Sequence, residues 1–130
     1  MLLFGHRFIP SKPFYHIEEI DDISVTPPNA ALFVHFSEAN LDIIIHLQAH
    51  ELTYAMEVTN LSELLYAHHF GAKYIVVSDV LAKSAQNIAE NYLFDAKVLC
   101  RVKSDAEIEE KIVEGIDGVI YTDAIIKAGS

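Results

Sequence analysis

A chain of 130 residues has room for one domain with a real hydrophobic core. Its formal net charge of −10 argues against nucleic acid and anionic membrane surfaces as partners. The sequence is 52% hydrophobic with a mean hydropathy of +0.24. No apolar run reaches the roughly 18–20 residues that span a bilayer, so direct membrane insertion is not expected. The apolar excess is expected to be buried in a core and in a subunit interface.

The N-terminal stretch Met1–Ile9 reads as a strand that meets Gly5, and no secretory leader is visible in it. Pro10 and Pro13 then break the chain. Phe14–Ile23 carries a partial alternation with many acids and reads as irregular or edge strand, and Thr26-Pro27-Pro28-Asn29 is a second break. From Ala30 the pattern becomes regular. Ala31–Phe36 is a strand, and Ser37 caps a helix to about His50 with Leu41, Ile44, Ile45 and Gln48 on one face. Thr53–Val58 is a strand. Asn60 and Glu63 form a capping box for the helix Leu61–Phe70, which Gly71 ends. The strand Ala72–Ser78 precedes the longest helix, Leu81–Phe94, whose apolar face is Ala82, Ala85, Ile88, Ala89 and Leu93. Ala96–Val102 is a strand, Ser104 and Glu107 make a second capping box, and Gly115 ends that helix. Gly118–Thr122 is the last strand, and the tail Ala124–Ser130 holds barely two turns.

The stretch Ala72–Asp79 recurs 44 residues further on as Ile116–Asp123, with Gly71 matching Gly115 and Asp79 matching Asp123. Short β-branched runs alternating with helices of ten to fourteen residues predict a parallel α/β sheet. The favoured arrangement is an open, Rossmann-like sheet with helices on both faces. It forms a single domain in which residues 1–29 are an atypical N-terminal segment and residues 30–130 the regular β/α repeats. A flavodoxin-like sheet and a half (β/α) barrel fit the same pattern. A half barrel would leave its inner face uncovered unless two copies paired face to face. Strand order separates the two: 3-2-1-4-5-6 marks the Rossmann type, and a sequential order marks the half barrel.

Ligands of parallel sheets bind outside the carboxyl ends of the strands. The residues there are His35, Glu57, Ser78, Asp79, Arg101, Lys103 and Asp123. His35, Asp79 and Asp123 are equivalent in the repeat, as are Glu57 and Arg101. The competing explanation is that strand ends become polar where they leave a core. His46-x-x-x-His50 with Glu51 has the spacing of a helical metal pair, but both residues lie off the apolar stripe and read as a solvated face, so no metal site is expected. His68 and His69 close a helix, where positive charge complements the dipole. No nucleophile elbow, Ser-His-Asp order or phosphate-cradling glycine loop is present. The single cysteine, Cys100, has no partner for an internal disulfide or a zinc–thiolate site, and it points to a reducing, cytoplasmic setting.

From Glu57 to Ile120 the chain resembles the N-terminal domain of RCK proteins, the regulators of potassium conductance in channels and Trk-type uptake systems. The residues that carry the resemblance are Glu57, Leu64, Ala67 and Ala72, then Ile75-Val76-Val77-Ser78-Asp79. They continue with the helix Lys83–Phe94, with Val98-Leu99-Cys100-Arg101-Val102, and with Gly115-Ile116-Asp117-Gly118-Val119-Ile120. The resemblance implies a cytoplasmic regulatory domain, not an enzyme, that forms a homodimer and serves a membrane potassium channel or transporter subunit. It places the dimer contact on the longest helix and the tail Ala124–Lys127. It also implies an NAD- or ATP-type nucleotide, with Gly5 as the cofactor-binding glycine. The two further glycines of G-x-G-x-x-G are missing after Gly5, so adenine dinucleotides are expected to bind weakly or not at all. The acid that would bind ribose aligns with His35, whereas Glu57 matches the acid near the adenine. The alternative function is a small-molecule- or phosphate-binding (β/α) enzyme in which Asp79, Asp123 and His35 act as acid/base groups or Mg²⁺ ligands. On either reading, Asp79→Asn is expected to weaken a ligand at the rim while barely changing the melting temperature of the free protein.

Overall fold

β-branched and aromatic runs too short for helices become eight strands: β1 (Leu2–Phe4), β2 (Phe14–His16), β3 (Ala31–His35), β4 (Tyr54–Glu57), β5 (Tyr74–Val77), β6 (Lys97–Val102), β7 (Gly118–Tyr121) and β8 (Ile125–Lys127). Among the described residues, four α-helices lie between them: α1 (Leu41–Ala49), α2 (Leu61–His69), α3 (Asp79–Asn91) and α4 (Ala106–Glu114). The structure is a computed structural model, and it describes residues 1–129. The last residue of the expected tail, Ser130, lies outside the described residues.

All strand pairs are parallel, in the order β1-β7-β6-β5-β4-β3-β2-β8. From β2 to β7 that order is sequential, so the α/β sheet takes the half-barrel arrangement rather than the Rossmann order. Only the three residues Thr122–Ala124 join β7 to β8, although β8 is one end of the order and β7 stands next to the other. The sheet must therefore curl until its ends meet. Phe4 of β1 accordingly touches Phe14 of β2, with ring centroids 5.1 Å apart.

The curl explains why the inner face needs no partner copy. Phe4, Phe14, Phe33, Ala55, Val76, Leu99, Ile120 and Ile125, one from each strand, pack on one another inside it. The opposite parity, such as Leu32, Val34, Met56, Ile75, Val98 and Val119, packs in a second cluster with the helices. The helices thus cover one face rather than both, because the other face is filled by the sheet's own side chains.

Local signals account for the helices. The Asn60 side chain accepts the Glu63 N–H at 2.9 Å and Glu63 Oε1 accepts the Thr59 N–H at 2.9 Å, which starts α2. Glu107 Oε2 accepts the Ser104 N–H at 2.9 Å at the start of α4, and Gly115, at φ 75°, ends it. Two expected faces shift. In α1 the buried residues are Ile43, Ile44 and Leu47, while Ile45 is exposed. In α3 they are Ala82, Ala85, Gln86 and Ala89. Leu93 is exposed because the chain leaves α3 there in a left-handed turn, at φ 55°. The tail expected to hold barely two turns instead forms β8, hydrogen-bonded to β2.

Gly118 marks the closest approach in the sheet. A Cβ on it would lie 2.7 Å from Leu99 Cδ2 and 2.8 Å from the Leu2 carbonyl oxygen. The carbonyl belongs to the β1 backbone and cannot swing aside. Gly118→Ala should therefore cost about 1–3 kcal/mol by overpacking, read as a lower midpoint of chemical unfolding. An unchanged midpoint would mean that β1 does not press on β7.

Candidate functional site at the mouth of the half barrel

Side chains alternate along each strand, so the residue two places beyond an inner apolar one also points inward. Above Phe14, Phe33, Ala55, Val76, Leu99 and Ile120 this rule places His16, His35, Glu57, Ser78, Arg101 and Thr122, all at the strands' carboxyl ends. Three of them meet. Arg101 Nη1 donates to Glu57 Oε1 and Oε2, both at 2.9 Å, and His35 Nδ1 lies 3.1 Å from Glu57 Oε1. Glu57 is the most enclosed of the three, with its side chain 15% exposed against 32% for Arg101 and 48% for His35. The hydrogen bonds of Arg101 among the described residues all use Nη1, which leaves Nε and Nη2 available to a ligand.

His16 joins from β2. Its ring stands edge-on to His35 at 5.0 Å and to Phe33 at 5.3 Å. Burial, and then the neighbouring His35, lower its pKa below the usual imidazole value. His16 is therefore held neutral to lower pH than a free histidine. It lay in the segment read as irregular or edge strand, which forms β2, between β3 and β8. The signal that finds it is parity: Phe14 faces inward, so His16 does too.

A cavity of about 460 Å³ opens beside the cluster, lined by Glu57, Ser78, Asp79, Arg101, Lys103, Glu107 and Thr122. This brings together five of the expected rim residues: Glu57, Ser78, Asp79, Arg101 and Lys103. His35 reaches the cavity only through Glu57. Asp123 lies apart, in an adjoining cleft with Lys103, Tyr121 and Thr122. Asp79 and Asp123 consequently line different clefts, and Asp79 is ion-paired with Lys111 of α4. Thr122, expected as the last residue of its strand, and Glu107, expected as a helix cap, were not among the expected rim residues. Gly5 serves packing: a Cβ there would lie 2.8 Å from Ala124 Cβ, and its N–H is held by Ser11 Oγ at 2.9 Å.

Two other histidine groups sit elsewhere. The His46 and His50 rings stack at 4.1 Å on the exposed side of α1, and His68 stacks on Phe94 at 4.0 Å. Among the described residues, no group of three or more His, Cys, Asp or Glu could hold a metal ion. Cys100 is buried, and burial pushes its thiol up to about 11, so it stays protonated and unreactive at neutral pH.

Beside the mouth, Asp105 collects Arg7 Nη1 at 2.9 Å, His6 Nε2 at 3.2 Å and the Tyr121 hydroxyl at 2.5 Å. The bonds from Tyr121 and Arg7 hold the Asp105 carboxyl down at about 2. This cluster ties the segment after β1 to the start of α4.

The fold and the mouth define a parallel β/α half barrel with a polar, partly enclosed site over an apolar plug. No protein-family model and no curated protein matches the chain. Among the described residues no helix is long and apolar enough to cross a membrane.

Proposed function

We propose that this protein binds a small anionic metabolite at the mouth of its half barrel, where Glu57 and His35 transfer a proton to or from it. The observation that carries this reading is the Arg101–Glu57–His35 cluster. One guanidinium nitrogen holds both carboxylate oxygens, and the remaining donors are left at the edge of a cavity of about 460 Å³. A cavity of that size suits small molecules, whose sites run from roughly 300 to 1,000 Å³. Arginine recognises carboxylates and phosphates through paired donors. A carboxylate in contact with an imidazole is a pair able to pass a proton at neutral pH.

The role as a regulator of potassium flux rests on the resemblance over Glu57–Ile120 and was tied to a Rossmann strand order. The sequential order favours the half barrel, and with it the small-molecule reading. The acid–base groups of that reading change from Asp79, Asp123 and His35 to Glu57 and His35, the residues that are in contact.

The test is a thermal-shift and calorimetric panel of small carboxylates and phosphate esters on the wild type and on Arg101→Gln. At least one compound should stabilise the wild type, and the variant should bind it roughly tenfold or more weakly, as expected for loss of a charge-assisted contact. Failure of every compound to stabilise the wild type at millimolar concentration, or equal binding by the variant, would overturn the proposal.

A further inference from the structure

The cavity beside Glu57 has a second anchoring point. Its charges can be followed one by one. Glu57 is held by Arg101. Asp79 is held by Lys111. Glu107 Oε2 accepts the N–H groups of Lys103 and Ser104 at 2.7 and 2.9 Å. Lys103, by contrast, makes no ion pair among the described residues, and it lines both the cavity and the adjoining cleft. Ser78 lines the cavity with a hydroxyl that makes no capping bond to α3, and Thr122 brings a second hydroxyl. Asp123, in the adjoining cleft, has no ion pair among the described residues and would repel an anion there. The cavity's Glu57 and Asp79, by contrast, are ion-paired and Glu107 is held by two backbone N–H groups, so the favourable seat is on the cavity side of Lys103.

We infer that the ligand is a short phosphate monoester carrying a carbonyl or carboxylate at its other end. This rests on the anion-binding reading of the same mouth and adds the ligand's class. The phosphate sits among the Lys103 ammonium and the Ser78 and Thr122 hydroxyls. The oxygen at the opposite end takes the outer nitrogens of Arg101, beside Glu57 and His35. Three convergent donors suit the three terminal oxygens of a phosphate better than the two of a carboxylate. The α3 helix also begins in the cavity lining at Asp79, and the positive end of its dipole adds to the same field. Arg101 lies on β6 and Lys103 at its exit, and both line the same cavity, so the two ends of a short ligand meet opposite charges within one space.

Calorimetric titration with phosphoglycolate and with glycolate tests the class, because the two differ only by the phosphate. Wild type should bind phosphoglycolate at least roughly tenfold more tightly. Lys103→Met should lose that advantage while binding glycolate as wild type does, and Arg101→Gln should weaken both ligands. Lys103 is exposed, so its variant is expected to melt with the wild type. If glycolate binds and phosphoglycolate binds no more tightly, or if Lys103→Met keeps the advantage, the phosphate seat is wrong and the anion-binding mouth stands. If neither compound binds the wild type, the ligand class is wrong, and the anion-binding mouth falls only if the wider panel of carboxylates and phosphate esters fails as well.

Discussion

Phe33→Ala is expected to lower stability by about 3–5 kcal/mol, the usual cost of emptying a fully buried aromatic position. Phe33 is 1% exposed in the plug of the half barrel. Its ring also forms the floor of the mouth. His16 and His35 stand edge-on to it, each at 5.3 Å, and Arg101 Cζ lies over it at 5.9 Å. The void would therefore open directly under the candidate site. A melting temperature lowered by on the order of 10 °C or more should come with weaker binding of any ligand that depends on Arg101. Phe33→Leu refills most of the space and should recover much of both. A loss below about 1 kcal/mol for Phe33→Ala would show that the plug is not packed as described.

The second large effect concerns a buried charge outside the mouth. Lys111 is 1% exposed, and its ammonium is held by Asp79 Oδ1 and by Glu114 Oε1, the latter at 3.1 Å. Burial by itself would lower its pKa, but the hydrogen bonds to Asp79 and Glu114 outweigh it, and the net shift is upward from 10.5. A raised pKa means that the stabilisation is fully present below the unfolded value and is lost only as pH rises through the folded one. The double substitution Asp79→Asn, Glu114→Gln strips the ammonium of both counter-charges. It should cost about 3–5 kcal/mol at neutral pH, the range for a buried charge left unpaired. The dependence on pH should also reverse. With its partners gone, Lys111 is pulled below its ordinary value, so the variant should regain stability relative to wild type as the solution is made alkaline. Unfolding curves at neutral and alkaline pH decide this, and a constant difference between the two proteins would exclude the pairing. Asp79→Asn alone should also lower the melting temperature of the free protein. The sequence reading expected almost no change there because it took Asp79 for a rim ligand with no structural partner.

Much of the architecture is legible because its causes are local. Asn60 with Glu63 and Ser104 with Glu107 are contacts three residues apart, and each starts a helix whatever the rest of the chain does. The runs that become β3 to β7 are apolar on both parities, which already demands a buried parallel sheet. β2 and β8 are different. Each has three residues, too few for a full period to show, and tertiary pairing makes them strands: β2 pairs with β3 and β8, and β8 pairs with β2. The rim was legible in outline for the same reason as the strands. Glu57 and Arg101 stood out as repeat-equivalent strand ends, but their contact joins residues 44 positions apart in the chain.

The sequence alone determined the parallel α/β class and the polar identity of the strand exits, because alternation and capping act over a few residues at a time. Tertiary structure decided the rest. Thr122–Ala124 are too few to bridge a flat sheet of eight strands, so they force the curl, and the curl turns the inward-facing parity into an apolar plug with a polar mouth above it. It brought Glu57 against Arg101 and His35, set Asp79 and Asp123 in different clefts, and placed His16 beside His35 from a segment read as irregular or edge strand. Distance in space, rather than spacing along the chain, sets which charges neutralise one another and which remain free to hold a ligand.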